Sequence, residues 1–395
     1  MRLAWGPEEE AFRAELVAFL DDNAPPEAKG FHRALAVGED EPELIPHWAR
    51  RWQAKLFDSG WMVPGYPPEL GGRNATPAQT LVYLEELAHR GIPRSMHFPG
   101  YAIVAPSLIE FGDAEQRDMA PAAIRGDLVW CIGMSEPEAG SDLAGLQTRA
   151  VLDGDTFVVN GQKVWTSYAA IAEKCFCYVR TDPEAPKHKG ISVLIIDMDT
   201  PGIDVRPLRH LWGTAEFAEV FFTDVAVPAR NVVGRINDGW RVTMGSLAHE
   251  RGGLWVQSVA HVEVAVADLV AMARRRGLGA DPGVRRLLGE VYEQAASLRA
   301  LGYKGFATFA QSSSAPEHSF LKLATSELGK SVYELAMELL GPDGVVLGPQ
   351  AGEEGGRWVR LFFNSLANTI AGGTSEVQRN IIAERVLGLP RARES

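Results

Sequence analysis

Apolar positions recur at helical spacing in the first third of the chain, at strand spacing in the middle, and at helical spacing again to the end. Near the start, Phe12, Leu16, Phe19 and Leu20 make one apolar face, Pro7 suits the first turn and Glu8 to Glu10 complement the helix dipole. The stretches 48–61 and 76–91 repeat the pattern, the second with Thr76 as cap and Pro77 behind it. After about residue 128 the period changes. Residues 153–167 read as a turn, a strand, an Asn160-Gly161 hairpin signal and a second strand; 174–181, 190–198 and 218–228 are further strands. Helical spacing returns from Gly239 onward, with long helices predicted over 258–277, 281–311 and 318–341 and a C-cap at Gly277. Alternating βαβ units are absent, so the order argues against a doubly wound nucleotide fold. The expected fold class is α+β: an all-helical domain over 1–128, an antiparallel β-domain over 129–236 and a helical bundle over 237–395.

Composition narrows the function. Hydrophobic content is 46% and charged content 23%, enough apolar material for large cores. The net charge of −12 argues against nucleic acid or an anionic membrane as the main partner. Cys131, Cys175 and Cys177 show neither metal spacing nor a disulfide framework, and a reducing, cytoplasmic setting is expected. No metal site is expected from the nine histidines, and no apolar run is long enough to span a bilayer. The stretch 277–283 follows a helix rather than a strand, so it is not a dinucleotide fingerprint; Gly329-Lys330-Ser331 lacks the leading glycine of a phosphate loop.

Three stretches carry more. WCIGMSEPEAGSDLAGLQTRA (130–150) is a strand running into a polar loop. NGQKVWTS (160–167) follows it, and GGTSEVQRNIIAERVLGLP (372–390) closes the chain. In the last, Gly372 and Gly373 allow left-handed backbone, and Ser375-x-x-Gln378 matches a capping box, so a helix is expected to start near Ser375. Taken alone, it could be an ordinary loop-to-helix junction or a site where free N–H groups meet a polar ligand.

Together, in this order and separation, the three stretches resemble the signatures of the acyl-CoA dehydrogenase family, over essentially the whole chain. The resemblance implies FAD as cofactor, with contacts from Ile132, Met134 and Ser135, from Trp165 and Ser167, and from Thr374 and Glu376. It places Ser141 near the acyl-CoA chain. Without it, Trp165 reads as strand packing. The implied reaction is α,β-dehydrogenation of an acyl-CoA thioester to a trans-2-enoyl-CoA, with electrons passed to an electron-transferring flavoprotein. The alternatives are a flavin oxidase or monooxygenase on the same fold, or a half-site subunit supporting a catalytic partner.

Much of the family places its catalytic glutamate directly before a Gly-Thr pair; here that slot is Gly372, whose backbone N–H can still serve the thioester oxygen. Other branches carry the base in a Glu-Arg pair on the first helix of the C-terminal domain, which implies Glu250 with Arg251 here. Frequency alone would make that pair a solvated helix face. Gly252 and Gly253 each cost about 1 kcal/mol in a helix, and a wide acyl group beside the base is a reason to keep them. The family's cofactor stretch donated across a subunit interface is altered to Arg275-Arg276-Gly277-Leu278-Gly279, with Arg286 for the downstream glutamine. Glu338 and Pro342 replace a glutamine and a glycine that would hold the ADP half of FAD. These departures resemble actinobacterial steroid-side-chain members that form hetero-tetramers. A homo-dimer or homo-tetramer is the other expectation.

Overall fold

The structure is a computed structural model and describes residues 5–29, 44–211, 213–312, 317–347 and 356–390; for 246–256, 309–312 and 317–319 it describes the backbone alone. The first third is helical. Helix α1 (Pro7–Asn23) buries Phe12, Leu16 and Leu20, and Glu9 accepts the Gly6 N–H at its start (3.1 Å). Helices α2 (His47–Asp58) and α3 (Pro77–His89) follow, α3 closed by a reciprocal Thr76–Gln79 capping box. A π-helical segment, Gly100–Val104, leads into α4 (Ala105–Phe111), and the short α5 (Ala114–Arg117) and α6 (Ala120–Arg125) complete this region.

The middle is a seven-stranded sheet. Its strands are β1 (Trp130–Gly133), β2 (Arg149–Asp153), β3 (Thr156–Lys163), β4 (Lys174–Arg180), β5 (Ile191–Asp197), β6 (Ile203–Leu208) and β7 (Phe217–Pro228). The pairs β2–β3, β3–β7, β4–β5 and β6–β7 are antiparallel. The expected all-antiparallel sheet is corrected at two places: β1 lies parallel to β4, and β2 touches β4 in parallel at Arg149 and Arg180. The long excursion through the 134–148 loop, β2 and β3 returns the chain to the side of β1 in the same direction, as a parallel pair requires. Strand β4 is buried on both faces, Phe176 and Tyr178 toward the helices and Cys175, Cys177 and Val179 away from them. Hence its unbroken apolar sequence.

Asn160-Gly161 is not a hairpin. Strand β3 continues through it with a bulge between Val159 and Gly161 against β7, and the reversal lies one strand earlier, where Asp153 pairs Thr156. Gly161 has φ +154°, and a Cβ there would lie 2.6 Å from the Thr148 Cα, so close backbone approach rather than a tight turn demands glycine.

From Gly239 the chain is helical again. Helices α7 (Gly239–Arg275), α8 (Pro282–Ser312), α9 (Glu317–Leu340) and α10 (Arg357–Asn368) pack side by side, and α11 (Ser375–Ile381) rests on α9. Helix α7 starts well before the apolar run beginning at Ser258, and Gly277 (φ +74°) ends it. Helix α10, with Trp358, Val359, Leu361 and Ser365 buried, and strand β6 lie outside the elements expected from the pattern. One core joins the N-terminal helices, the inner sheet face and the bundle. It sets the first two signature stretches against the helical layers.

Candidate functional site

The first signature leaves β1 at Gly133. Ile132, Met134 and Ser135 are half-buried at this strand end. Val164 donates its N–H to the Ser135 carbonyl (2.9 Å), so the second signature runs directly alongside the first. Beneath them, Lys163 is fully buried (0% exposed) and pairs with the nearly buried Glu136 (2.8 Å). The same ammonium donates to the Met134 carbonyl (3.2 Å). The Glu136 carboxylate also accepts the N–H groups of Gln147 (2.6 Å) and Thr148 (2.9 Å), closing the 137–146 loop. Burial pushes the Glu136 pKa up, but the Lys163 charge and these hydrogen bonds outweigh it and hold the carboxyl below its ordinary value. Neither Lys163 nor Glu136 was among the expected site residues. Both lie inside the quoted stretches, but only the fold brings them together.

Trp165 follows Lys163 by two residues and differs from a packed strand residue. Its φ is +59°, and 61% of it is exposed, with the Phe217 ring meeting it edge-on (centroids 6.1 Å apart). A left-handed tryptophan costs about 1–2 kcal/mol, and an exposed indole gains nothing in return within the chain. Such strain gathers at functional sites. Thr166 exchanges backbone hydrogen bonds with Ala218 of β7 (3.0 and 3.1 Å), while its hydroxyl is sealed from solvent without a partner among the described residues. Ser167 is half-buried, and Tyr168 donates to the Met96 carbonyl, tying this turn to the N-terminal helices.

The C-terminal signature is anchored from α9. Lys322 donates to the carbonyls of Gly373 (2.6 Å) and Asn368 (3.2 Å), and Ser375 donates to Glu327 (2.5 Å). The helix cap differs from the expectation by one residue. Thr374 is the N-cap, accepting the Val377 N–H (3.2 Å), and Gln378 reaches back to the Gly372 carbonyl (3.2 Å). Gly372 takes φ +67°, and its N–H meets no acceptor among the described residues. Glu376 is exposed beside Arg379 (3.4 Å). Its pKa is lowered by its own backbone N–H, then by Thr374 and Arg379. Among the described residues no hydrogen bond or ion pair joins 372–376 to the 132–167 cluster.

Glu250, Arg251, Gly252 and Gly253 lie in α7; their side-chain surroundings fall outside the described residues. Ser141 is exposed in the loop beside Asp142, which pairs with Lys187 (2.9 Å). The two altered cofactor stretches meet within the chain: Arg276 donates to Asp343 (2.8 Å) and to the Leu340 carbonyl (3.2 Å). Arg275 and Glu338 are exposed near this junction, whereas Arg286 is taken up by Glu290 on α8 (2.5 Å).

Comparison with known proteins decides what this arrangement is. Sequence models of the acyl-CoA dehydrogenase N-terminal, middle and C-terminal domains match residues 6–127, 131–225 and 237–387. Acyl-CoA dehydrogenase IpdE1 of Mycobacterium tuberculosis (strain ATCC 25618 / H37Rv) is 37% identical over 385 residues, 97% of this chain and 98% of its own. The chain belongs to the acyl-CoA dehydrogenase family. Acyl-CoA dehydrogenase FadE26 of the same organism is 34% identical over 414 residues, 99% of this chain and 100% of its own. The solved Tcur3481-Tcur3483 steroid ACAD superposes with TM-score 0.85 at 32% identity, covering 99% of this chain and 100% of its own. The ChsE4-ChsE5 complex from Mycobacterium tuberculosis gives 0.83 at 34%, with the same coverage.

Acyl-CoA dehydrogenases are FAD-dependent oxidoreductases acting on the CH–CH bond of an acyl-CoA, and this chain's residues suit that cofactor. The Ser135 N–H takes no acceptor among the described residues, the Thr166 hydroxyl is orphaned, and Trp165 offers a bare aromatic face at the same strand ends. A flat ring system with a polar edge would use all three. Trp165→Gly is therefore expected to change the unfolding free energy of the apoprotein by no more than about 1 kcal/mol, strain relief offsetting glycine entropy. FAD affinity, read by titration, is expected to fall about tenfold.

Proposed function

We propose that this acyl-CoA dehydrogenase removes the α-proton of its thioester with Glu250 and yields a trans-2-enoyl-CoA. The chemistry FAD supplies when bound is acceptance of a hydride equivalent from the β-carbon. In this reading, the backbone at Met134 and Ser135, held by Lys163 and Glu136, lines the polar edge of the cofactor site, with Trp165 and Ser167 beside it. Thr374 and Glu376 contribute from the start of α11. The Gly372 N–H takes the thioester oxygen, where charge develops as the proton leaves. Gly252 and Gly253 make room for a wide acyl group, and Ser141 lies along the thioester arm. The observation that carries the cofactor placement is the strained, exposed Trp165, followed directly by Thr166, whose hydroxyl has no partner among the described residues.

The absence of a carboxylate at Gly372 supports Glu250 as base. A glycine in the left-handed region also keeps the N–H donor without adding a side chain beside it. The natural acceptor in this proposal is an electron-transferring flavoprotein, in the cytoplasm. The domains run 1–128, 129–236 and 237–395.

A second reading concerns assembly. Arg276 and Asp343 neutralise each other in the stretches that would hold the ADP half of FAD. This favours a hetero-tetramer in which a related subunit completes that half and Arg275 faces the phosphates; the solved Tcur3481-Tcur3483 steroid ACAD and ChsE4-ChsE5 complex each carry two component names.

Anaerobic titration with acyl-CoAs tests the activity. A purified yellow protein, alone or with its partner, is expected to bleach at about one equivalent. A flavin that binds but stays oxidised with every thioester would overturn the proposal, and oxygen uptake during turnover would point to the oxidase.

A further inference from the structure

A largely buried cation follows α3, with no carboxylate paired to it among the described residues. Arg94 follows α3 and precedes the π-helical segment. Its guanidinium carbon sits 4.4 Å above the Tyr101 ring, with Tyr66 and Tyr83 as its other close polar neighbours. The Arg94 Nε and the Tyr83 hydroxyl are both sealed from solvent without hydrogen-bond partners among the described residues. No ion pair involves Arg94 among those residues, although eleven other arginines take part in one. The side chain lies deep in the protein yet keeps part of its surface accessible, as a group lining an internal cleft does. Burying a guanidinium without a counter-charge is costly, and an orphaned phenol beside it adds to the cost. Aromatic faces repay part of this. Tyr101 also takes one hydrogen bond from the guanidinium, which leaves the Nε–H and the Tyr83 hydroxyl without partners among the described residues.

The position of the cluster gives it a use. Gly245 of α7 abuts the Phe111 ring at the end of α4, where a Cβ would lie 2.5 Å away, and Glu263 of α7 meets His89 at the end of α3 (3.6 Å). At 1.5 Å per residue the stretch between spans about 27 Å, and it carries residues 250–253. The segment from Arg94 to Val104 runs from the end of α3 to the start of α4, and its π-helical part packs on both α7 and β1. His97 fixes it to the signature strand by contacts with the Trp130 carbonyl (2.7 Å) and N–H (3.1 Å). Arg94 thus stands at the head of the segment that packs against both the proposed base helix and the cofactor strand.

We infer that Arg94, with the Tyr83 hydroxyl, recognises an oxygen acceptor at the far end of the acyl group, so that the substrate is an acyl-CoA bearing a distal carboxylate or ketone rather than a plain hydrocarbon chain. This rests on Glu250 as base, which sets the reacting carbon under α7. A carboxylate would supply the missing counter-charge; a ketone would satisfy the donors only.

The test uses the holoenzyme in its native assembly and matched thioesters. Glutaryl-, adipoyl-, pimeloyl- and suberoyl-CoA are compared with the straight-chain thioesters of equal length and with their keto counterparts. At the length that reaches the cluster, kcat/KM for the oxygenated thioester is expected to exceed that of the hydrocarbon about tenfold to a hundredfold, the range for a hydrogen bond to a charged group. Carboxylate above ketone identifies the counter-charge role; equality of the two identifies donor satisfaction alone. Arg94→Met is expected to collapse the ratio toward unity through KM, and Arg94→Lys to restore part of it. Hydrocarbon turnover with no preference in the wild-type protein would overturn this inference alone, whatever the variants do. Failure to turn over any thioester would overturn the base assignment with it.

Discussion

Glu250→Gln is expected to lower turnover about a hundredfold to ten-thousandfold, the contribution of a positioned general base, while FAD remains bound and the absorbance spectrum stays that of the oxidised flavoprotein. Glutamine keeps the shape and polarity of the side chain and removes only its capacity to accept a proton. The size of the effect follows from the chain having no second carboxylate at the other position the family uses: residue 372 is glycine. Gly372→Glu in the same background is expected to restore little. The residue would sit at φ +67°, where a side chain costs about 1–2 kcal/mol and disturbs the backbone donor meant for the thioester oxygen. Turnover with saturating thioester measures both variants.

Lys163→Met is expected to be the most destabilising single change in the cofactor region, by about 3–5 kcal/mol, because it leaves a buried carboxylate unpaired. The Glu136 carboxylate would keep its two backbone donors but lose the ammonium at 2.8 Å. The Met134 carbonyl would lose its partner too, so FAD affinity should fall with stability. Glu136→Gln added to Lys163→Met is expected to recover part of the stability, since the isolated charge is then gone. The pH dependence carries the same signature. The Glu136 pKa is held below its unfolded value of 4.5. Its stabilising contribution is therefore complete above that value, declines as pH falls through the folded pKa, and is gone below it. Thermal unfolding followed from about pH 7 to about pH 3 should fall less steeply on the acid side in the double variant than in the wild-type protein.

The sequence was most legible where local rules and the fold agree. Thr76 and Gln79 form the capping box their spacing announces, and the apolar face of α1 is the buried one. Asn160-Gly161 misleads because a hairpin signal and a bulge ask for the same residue; the deciding contact, the Thr148 backbone, is remote in sequence. Strand β6 hides because Asp204 and Arg206 face solvent, leaving too few apolar positions to set a period. The site divides the same way. Trp165 and Ser135 are visible in the motif, but the strain at Trp165 needs backbone angles. The Lys163–Glu136 pair and the Arg94 cluster join residues from separate segments, and no local pattern marks a cation as buried.

Hydrogen exchange at the α-carbon of a bound thioester tests the central claim most directly, since it reads proton removal apart from electron transfer. In deuterated buffer under anaerobic conditions, the wild-type protein is predicted to exchange the α-hydrogen of a thioester that it binds but cannot oxidise. Glu250→Gln, with its flavin in place, is predicted to lose that exchange. Exchange at the wild-type rate in the variant would mean that another group takes the proton and that α7 does not carry the base.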